Sequence, residues 1–219
     1  MPSRDPISVD VPAALRAATI AGVLALAACA SPPPTRFHTL MPAAVAPAAS
    51  SAASGAALPV VVEPIRVPAQ VDQPQWVVRL PDGSLAVLEQ ERWASALPDE
   101  FRAALLEQLI VAHGAIDART LAGAAAAAAW RISVDVRRFD SLPDVEALIE
   151  GSWTIQGSRG GKPVAARCEW LLREPAAAGM LALADAHRRA ISRLADGIAG
   201  ALARAARGEP ASCPALDER

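Results

Sequence analysis

The segment WRISVDVRRF (residues 130–139) sets Ile132, Val134 and Val136 at every second position, with Arg131, Ser133, Asp135 and Arg137 between them. Strict alternation of apolar and polar side chains marks a strand with one face on a core and the other in water. Phe139 falls out of step, so a bulge or a strand end is expected at Arg138. Two later runs repeat the pattern. In VEALIEGSWTIQG (145–157) Val145, Ala147, Ile149, Trp153 and Ile155 share a face; in PVAARCEWLLR (163–173) Val164, Ala166, Cys168, Trp170 and Leu172 do. SRGGK (158–162) between them carries the paired glycines of a hairpin turn. This half of the chain therefore reads as an antiparallel meander with one wet face.

A sheet with one apolar face needs a cover. From Met180 to Ala205 the residues Leu183, His187, Ile191, Leu194, Ile198, Leu202 and Ala205 recur at intervals of three and four, the stripe of an amphipathic helix. A second helix is expected in LPDEFRAALLEQLIVAHG (97–114). Pro98, Asp99 and Glu100 suit its start, Gly114 suits its stop, and Phe101, Leu105, Leu109 and Ala112 form its stripe. GAAAAAAW (123–130) reads either as helix or as the beginning of the next strand. Upstream, PVVVEPIRVP (59–68) is rich in β-branched residues, and QWVVRLPDGSLAVLEQERW (75–93) is two strand-like runs around the turn PDG. The expected class is α+β: a mainly antiparallel sheet with two principal helices packed on one face. It occupies a single domain at residues 59–207, with a frayed tail at 208–219.

The N-terminal region has another logic. AATIAGVLALAA (17–28) is an uncharged run of twelve residues, too short for a bilayer span of roughly 20 but suited to the hydrophobic part of an export signal. It stops at Cys29 and passes straight into prolines. LAAC (26–29) resembles the lipobox of bacterial lipoproteins, which makes residues 1–28 a signal peptide and Cys29 the lipidated first residue of the mature chain. Ala30 follows, where an aspartate would mark retention at the inner membrane, so the periplasmic face of the outer membrane is the expected location. Residues 29–58, rich in Ala, Pro and Ser, read as a flexible lipidated tether. The 29 residues from Ala30 to Leu58 would span roughly 30 Å root-mean-square.

The formal charge of −2 is not altered by losing the signal, which holds two basic and two acidic residues, and no basic patch or motif suggests nucleic acid. Cys168 lies in an apolar alternation and Cys213 in a polar tail, so a buried inert thiol is expected at Cys168 in preference to a disulfide. His38, His113 and His187 lack partners at ligand spacing, so no metal or cofactor site is expected; His187, on an apolar stripe, reads as a core or interface histidine. GSRGGK lacks the interval and the hydroxyl residue of a phosphate loop. No nucleophile motif is visible, and the chain does not read as an enzyme.

Pro64, Pro68 and Pro74 fall within strand-like sequence, which suits an edge or a crossing rather than a central strand. A strand is expected to end at Pro68, cross over and resume near Gln75. Here TRFHTL (35–40), VEPIRVPAQVDQPQWVVR (62–79), LEQERWASALPDEFRAALLEQL (88–109), ISVDVRRFD (132–140) and ADAHRRAISRLADGIAGAL (184–202) stand in the order of the PqiC-like family, the ABC-type transport auxiliary lipoproteins. The resemblance covers essentially the whole mature chain. Its most specific element is Pro68, Asp72, Pro74 and Gln75, followed beyond the hairpin by Trp93; where relatives commonly carry Tyr, this chain has His38 and Gln70. The resemblance implies an outer-membrane lipoprotein that serves an MCE-domain protein and its inner-membrane transport components in moving lipids between membranes. As a mechanism, it suggests a docking collar, arranged as a homo-oligomeric ring. Pro68, Asp72, Pro74, Gln75, Trp76 and Trp93 are then the candidate partner-binding residues, although each Trp reads equally well as core. The competing reading is a structural lipoprotein bound to an envelope-assembly or cell-wall synthesis machine.

Overall fold

The computed structural model describes residues 33–42, 57–210 and Cys213, and all of its strands and helices fall within the unit Thr35–Arg219. The export signal, Cys29, residues 43–56 of the expected tether and residues 214–219 lie outside them. The class is α+β, with two mixed sheets rather than one mainly antiparallel sheet. Three strands, β1 (Arg36–His38), β3 (Gln75–Arg79) and β4 (Leu85–Trp93), form a sheet in the order β1-β4-β3. The other sheet, ordered β5-β2-β6-β7-β8, contains β2 (Pro59–Val62), β5 (Ile116–Asp117), β6 (Trp130–Leu142), β7 (Glu146–Arg159) and β8 (Lys162–Pro175).

The meander matches its sequence. Ile132, Val134 and Val136 on β6 pair with Ile155, Trp153 and Gly151 on β7, which pair in turn with Ala166, Cys168 and Trp170 on β8. The register shifts between Val136 and Arg138, so the bulge falls at Arg137 and returns Phe139 to the buried face. Gly151 fills its place by having no side chain: a Cβ there would lie 2.3 Å from the Asp135 carbonyl oxygen and 2.7 Å from the Trp170 ring. The β7–β8 turn is made by Gly160 and Gly161, both at positive φ (56° and 76°), the backbone a two-residue hairpin requires. Val145, expected on the apolar face, lies in the β6–β7 turn and is exposed.

Parallel pairing, which alternation does not reveal, enters through β2 and β1. Strand β2 runs parallel to both β5 and β6. It ends at Val62, ahead of Pro64 and earlier than the expected Pro68, leaving an isolated bridge between Arg66 and Asp135 before the chain crosses to the smaller sheet. Strand β1 pairs in parallel with residues 91–93 of β4, so a piece of the expected tether belongs to the fold.

Helices α1 (Leu97–His113) and α3 (Met180–Arg207) bracket a short α2 (Gly123–Ala127). Helix α1 has proline in its first turn, acidic Asp99 and Glu100 beside it, and Gly114 in the left-handed region at its end. Its stripe buries Phe101, Leu105 and Leu109, while Ala112 is exposed. Every apolar-stripe position expected for α3 is buried. Side chains of both helices and both sheets meet in one hydrophobic core.

The expectation of a free thiol at Cys168 is overturned. Cys168 and Cys213 form a disulfide that ties the segment after α3 back to β8. The tail carries no periodic pattern, so nothing local announces the return. Closing a loop across 45 residues removes freedom chiefly from the unfolded chain. Cys213→Ser is expected to cost about 2–4 kcal/mol in urea denaturation, with reductant destabilising the parent chain and leaving the variant unmoved.

Candidate functional site

The segments that carry the family resemblance converge in the interior. Trp76 of β3, fully buried, packs against Trp93 of β4 with ring centroids 4.3 Å apart and planes tilted by 36°, and the ring of His38 from β1 meets it edge-on at 4.9 Å. Beneath them His187 of α3 lies flat on Phe139 of β6, at 4.2 Å and an interplanar angle of 5°. Phe101 of α1 joins Phe139 edge-on at 6.5 Å. Six aromatic rings thus come from six separate elements.

Polar bonds run through this cluster. The Trp76 indole donates to Ser141 Oγ at 2.8 Å, and Ser141 Oγ lies 2.7 Å from His187 Nε2. An indole N–H can only donate, so Ser141 Oγ accepts from Trp76, and its bond with His187 Nε2 runs in the direction the imidazole tautomer sets, while Nδ1 is buried without a hydrogen-bond partner. Burial pushes the His187 pKa down to about 3, against the opposing pull of Asp140. Asp140 itself is held by Arg79 at 2.9 Å and by Arg138. Nearby, the buried Glu100 carboxylate accepts from Thr39 Oγ1 (2.6 Å), the Leu40 amide (2.9 Å) and Ser95 Oγ (2.9 Å). Arg188 donates to the Thr39 carbonyl at 2.8 Å. These bonds fasten β1 to both main helices, and His38 adds a bond to Glu91 of β4.

From this base the crossing between β2 and β3 reaches the surface. Ile65 and Val71 are buried and pin it; Pro64, Asp72 and Pro74 are exposed; Pro68 and Gln75 are half-buried. Backbone bonds from Val71 to Pro68 and from Asp72 to Ala69 shape its turn, and the Trp93 amide donates to the Pro74 carbonyl at 3.0 Å. Of the six candidate partner-binding residues, Asp72 and Pro74 face solvent, Pro68 and Gln75 flank them, and Trp76 and Trp93 lie in the core that supports them. Ser141 and Glu100 were not visible as supporting residues in the sequence. Glu100 stands beside Phe101 inside a family-like segment, whereas Ser141 falls just beyond the segment that ends at Asp140 and has no signal of its own.

Where the crossing begins, an open depression of about 240 Å³ is lined by Glu63, Arg66, Ser133, Asp135, Thr154 and Arg167, among others. Of its charges, Arg66 pairs with Asp135 within the lining, while Glu63 pairs with Arg131 and Arg167 with Glu169 beyond it. Among the described residues no group of His, Cys, Asp and Glu is placed to hold a metal ion, and no helix is long and apolar enough to cross a membrane.

The class defined by this architecture is a small α+β domain in which a buried aromatic and polar cluster stiffens one projecting loop. Comparison makes it particular: the family described as ABC-type transport auxiliary lipoprotein component matches residues 38–199, and the chain belongs to that PqiC-like family. The family's role is auxiliary to transport. No curated protein matches. Among solved structures, a Xanthomonas campestris protein is similar at 21% identity, over 66% of this chain and 82% of its own, with a TM-score of 0.52. That likeness concerns the fold alone. An uncharacterized protein (21% identity, 65% and 94% coverage, TM-score 0.48) and a Caulobacter crescentus structure (22%, 50% and 85%, 0.33) are also similar.

Proposed function

We propose that this chain is the outer-membrane-anchored periplasmic auxiliary component of an MCE and ABC-type system that moves lipids between membranes. Lipid on Cys29 holds it to the membrane. The loop at residues 68–75 docks the MCE-domain protein and, through it, the inner-membrane components, with copies of the domain forming a homo-oligomeric ring around the contact. The observation that carries this reading is the family match along residues 38–199. The shape of the loop supports it as well: a segment pinned at Ile65, Val71 and Trp76 presents Asp72 and Pro74 with little ordering left to do on binding.

The test is a photoreactive residue at position 72 in the native envelope, with Cys29→Ala as the control for anchoring. Crosslinks to an MCE-domain protein are expected from position 72 in the lipidated chain, with strong loss in the Cys29→Ala variant. Crosslinks only to cell-wall enzymes or assembly factors would replace this reading with the scaffold one.

A further inference from the structure

Strand β1 changes what the anchor can do. With residues 29–58 as a free tether, the domain would float well clear of its lipid. In the fold, Arg36 is already paired with Glu91 of β4, and Leu40 is bonded to α1. Only seven residue steps separate Cys29 from Arg36, at most about 25 Å when fully extended. That reach is shorter than strand β7 alone, whose 14 residues span about 45 Å. A domain held this closely keeps one side toward the bilayer.

The described element nearest Cys29 along the chain is β1, which contributes to the outer face of the three-stranded sheet. Along β1, His38 points inward to Trp76, so Phe37 points out, opposite Arg92. On β4, Leu88 opposes the buried Trp76, so Val87 and Leu85 also point out. Their exposures, 67% for Phe37, 45% for Val87 and 43% for Leu85, are high for such side chains. Arg36 shares the face of His38, both being bonded to Glu91, so the cation beside Phe37 on the outer face is its register partner Arg92, an aromatic and arginine pair of the kind that settles at a lipid headgroup boundary.

We propose that this sheet face, led by Phe37, seats the domain on the bilayer that carries its lipid and makes Phe37 a second membrane anchor. The inference rests on the reading of Cys29 as the lipidated residue. The acyl chains on Cys29 hold the chain to the bilayer, and the apolar contact at Phe37 fixes the height and tilt at which the loop at residues 68–75 meets its partner.

The experiment uses the mature chain, residues 29–219, coupled through Cys29 to a maleimide phospholipid. Cys168 and Cys213 are paired, which leaves Cys29 as the reactive thiol. The vesicles contain phosphatidylethanolamine and phosphatidylglycerol with brominated acyl chains. All five native tryptophans are buried, so Phe37→Trp adds a surface indole; Lys162→Trp, at the far hairpin tip, is the control. Bromolipid is expected to quench the added emission at position 37 about twofold or more and to leave that at position 162 unchanged. Equal quenching at both positions, or none at position 37, overturns the proposal. So does a photocrosslinker at position 37 that captures protein instead of lipid in the native envelope. Native lipidation of Cys29 is read separately by mass spectrometry, so failure of the anchor reading and failure of the sheet face are distinct results.

Discussion

Trp76→Ala is expected to lower the unfolding free energy by about 4–6 kcal/mol, enough to leave a domain of ordinary stability largely unfolded. Truncating a buried tryptophan alone typically costs about 3–5 kcal/mol. Here the cavity would open among Trp93, His38 and His187, three rings from three different elements, so no single movement can fill it. Ser141 would also lose its indole donor, which adds about 1 kcal/mol or more for a buried polar group left short of a partner. Urea denaturation followed by near-ultraviolet circular dichroism measures both the loss of stability and the loss of the packed indoles. A variant with the parent's midpoint and spectrum would refute the central place given to Trp76. Trp76→Phe, which keeps a ring and drops the N–H, should fall between the two.

The second large effect is acid sensitivity. His187 has its pKa lowered from 6.5 to about 3 in the folded state. Below pH 6.5 the unfolded chain therefore takes up a proton that the folded chain refuses, and stability falls with pH until about pH 3, where both forms are protonated. The whole window corresponds to about 5 kcal/mol, and the part between pH 6.5 and pH 5 to about 2 kcal/mol. Desolvation is the principal cause. Protonation would also make both ring nitrogens donors, with Nδ1 buried and without a hydrogen-bond partner. His187→Gln removes the titration and retains an amide able to bond Ser141. Its baseline stability should be lower, but between pH 7 and pH 5 its denaturation midpoint should move much less than the parent's. Parallel pH profiles would assign the acid response to other groups.

Much of the fold was legible because its signals are local. Alternation of period two marked β6, β7 and β8; the break at Phe139 marked the bulge; the 3.6-residue stripe and Gly114 delimited the helices. What sequence could not show depends on partners far along the chain. Strand β1 has three residues, too few for any periodicity, and its ladder lies on Glu91, Arg92 and Trp93. The parallel neighbours of β2 and the bond between Cys168 and Cys213 are equally remote. At the candidate site, the prolines announced a crossing, but whether an indole beside it faced water or core depended on Ser141 and His187, which arrive from β6 and α3. Of the six candidate residues, Trp76 and Trp93 lie in the framework behind the crossing, and Pro68, Asp72, Pro74 and Gln75 lie on or beside it.

The placing of β1 also bears on how such a chain is made. The strand nearest the N-terminus cannot be completed until β4 exists, and its Thr39 carbonyl waits for Arg188, 149 residues later. The disulfide then waits for Cys213. A polypeptide threaded through a membrane N-terminus first would thus have Cys29, the proposed site of lipid, available to modifying enzymes while the domain is still open, and would close only as its last segments emerge. Such long-range closure slows folding and prolongs the exposure of unpaired strand edges. On the proposed lipidation of Cys29, late assembly would leave that residue accessible at the moment of its chemistry and the strand edges uncovered until the two ends have met.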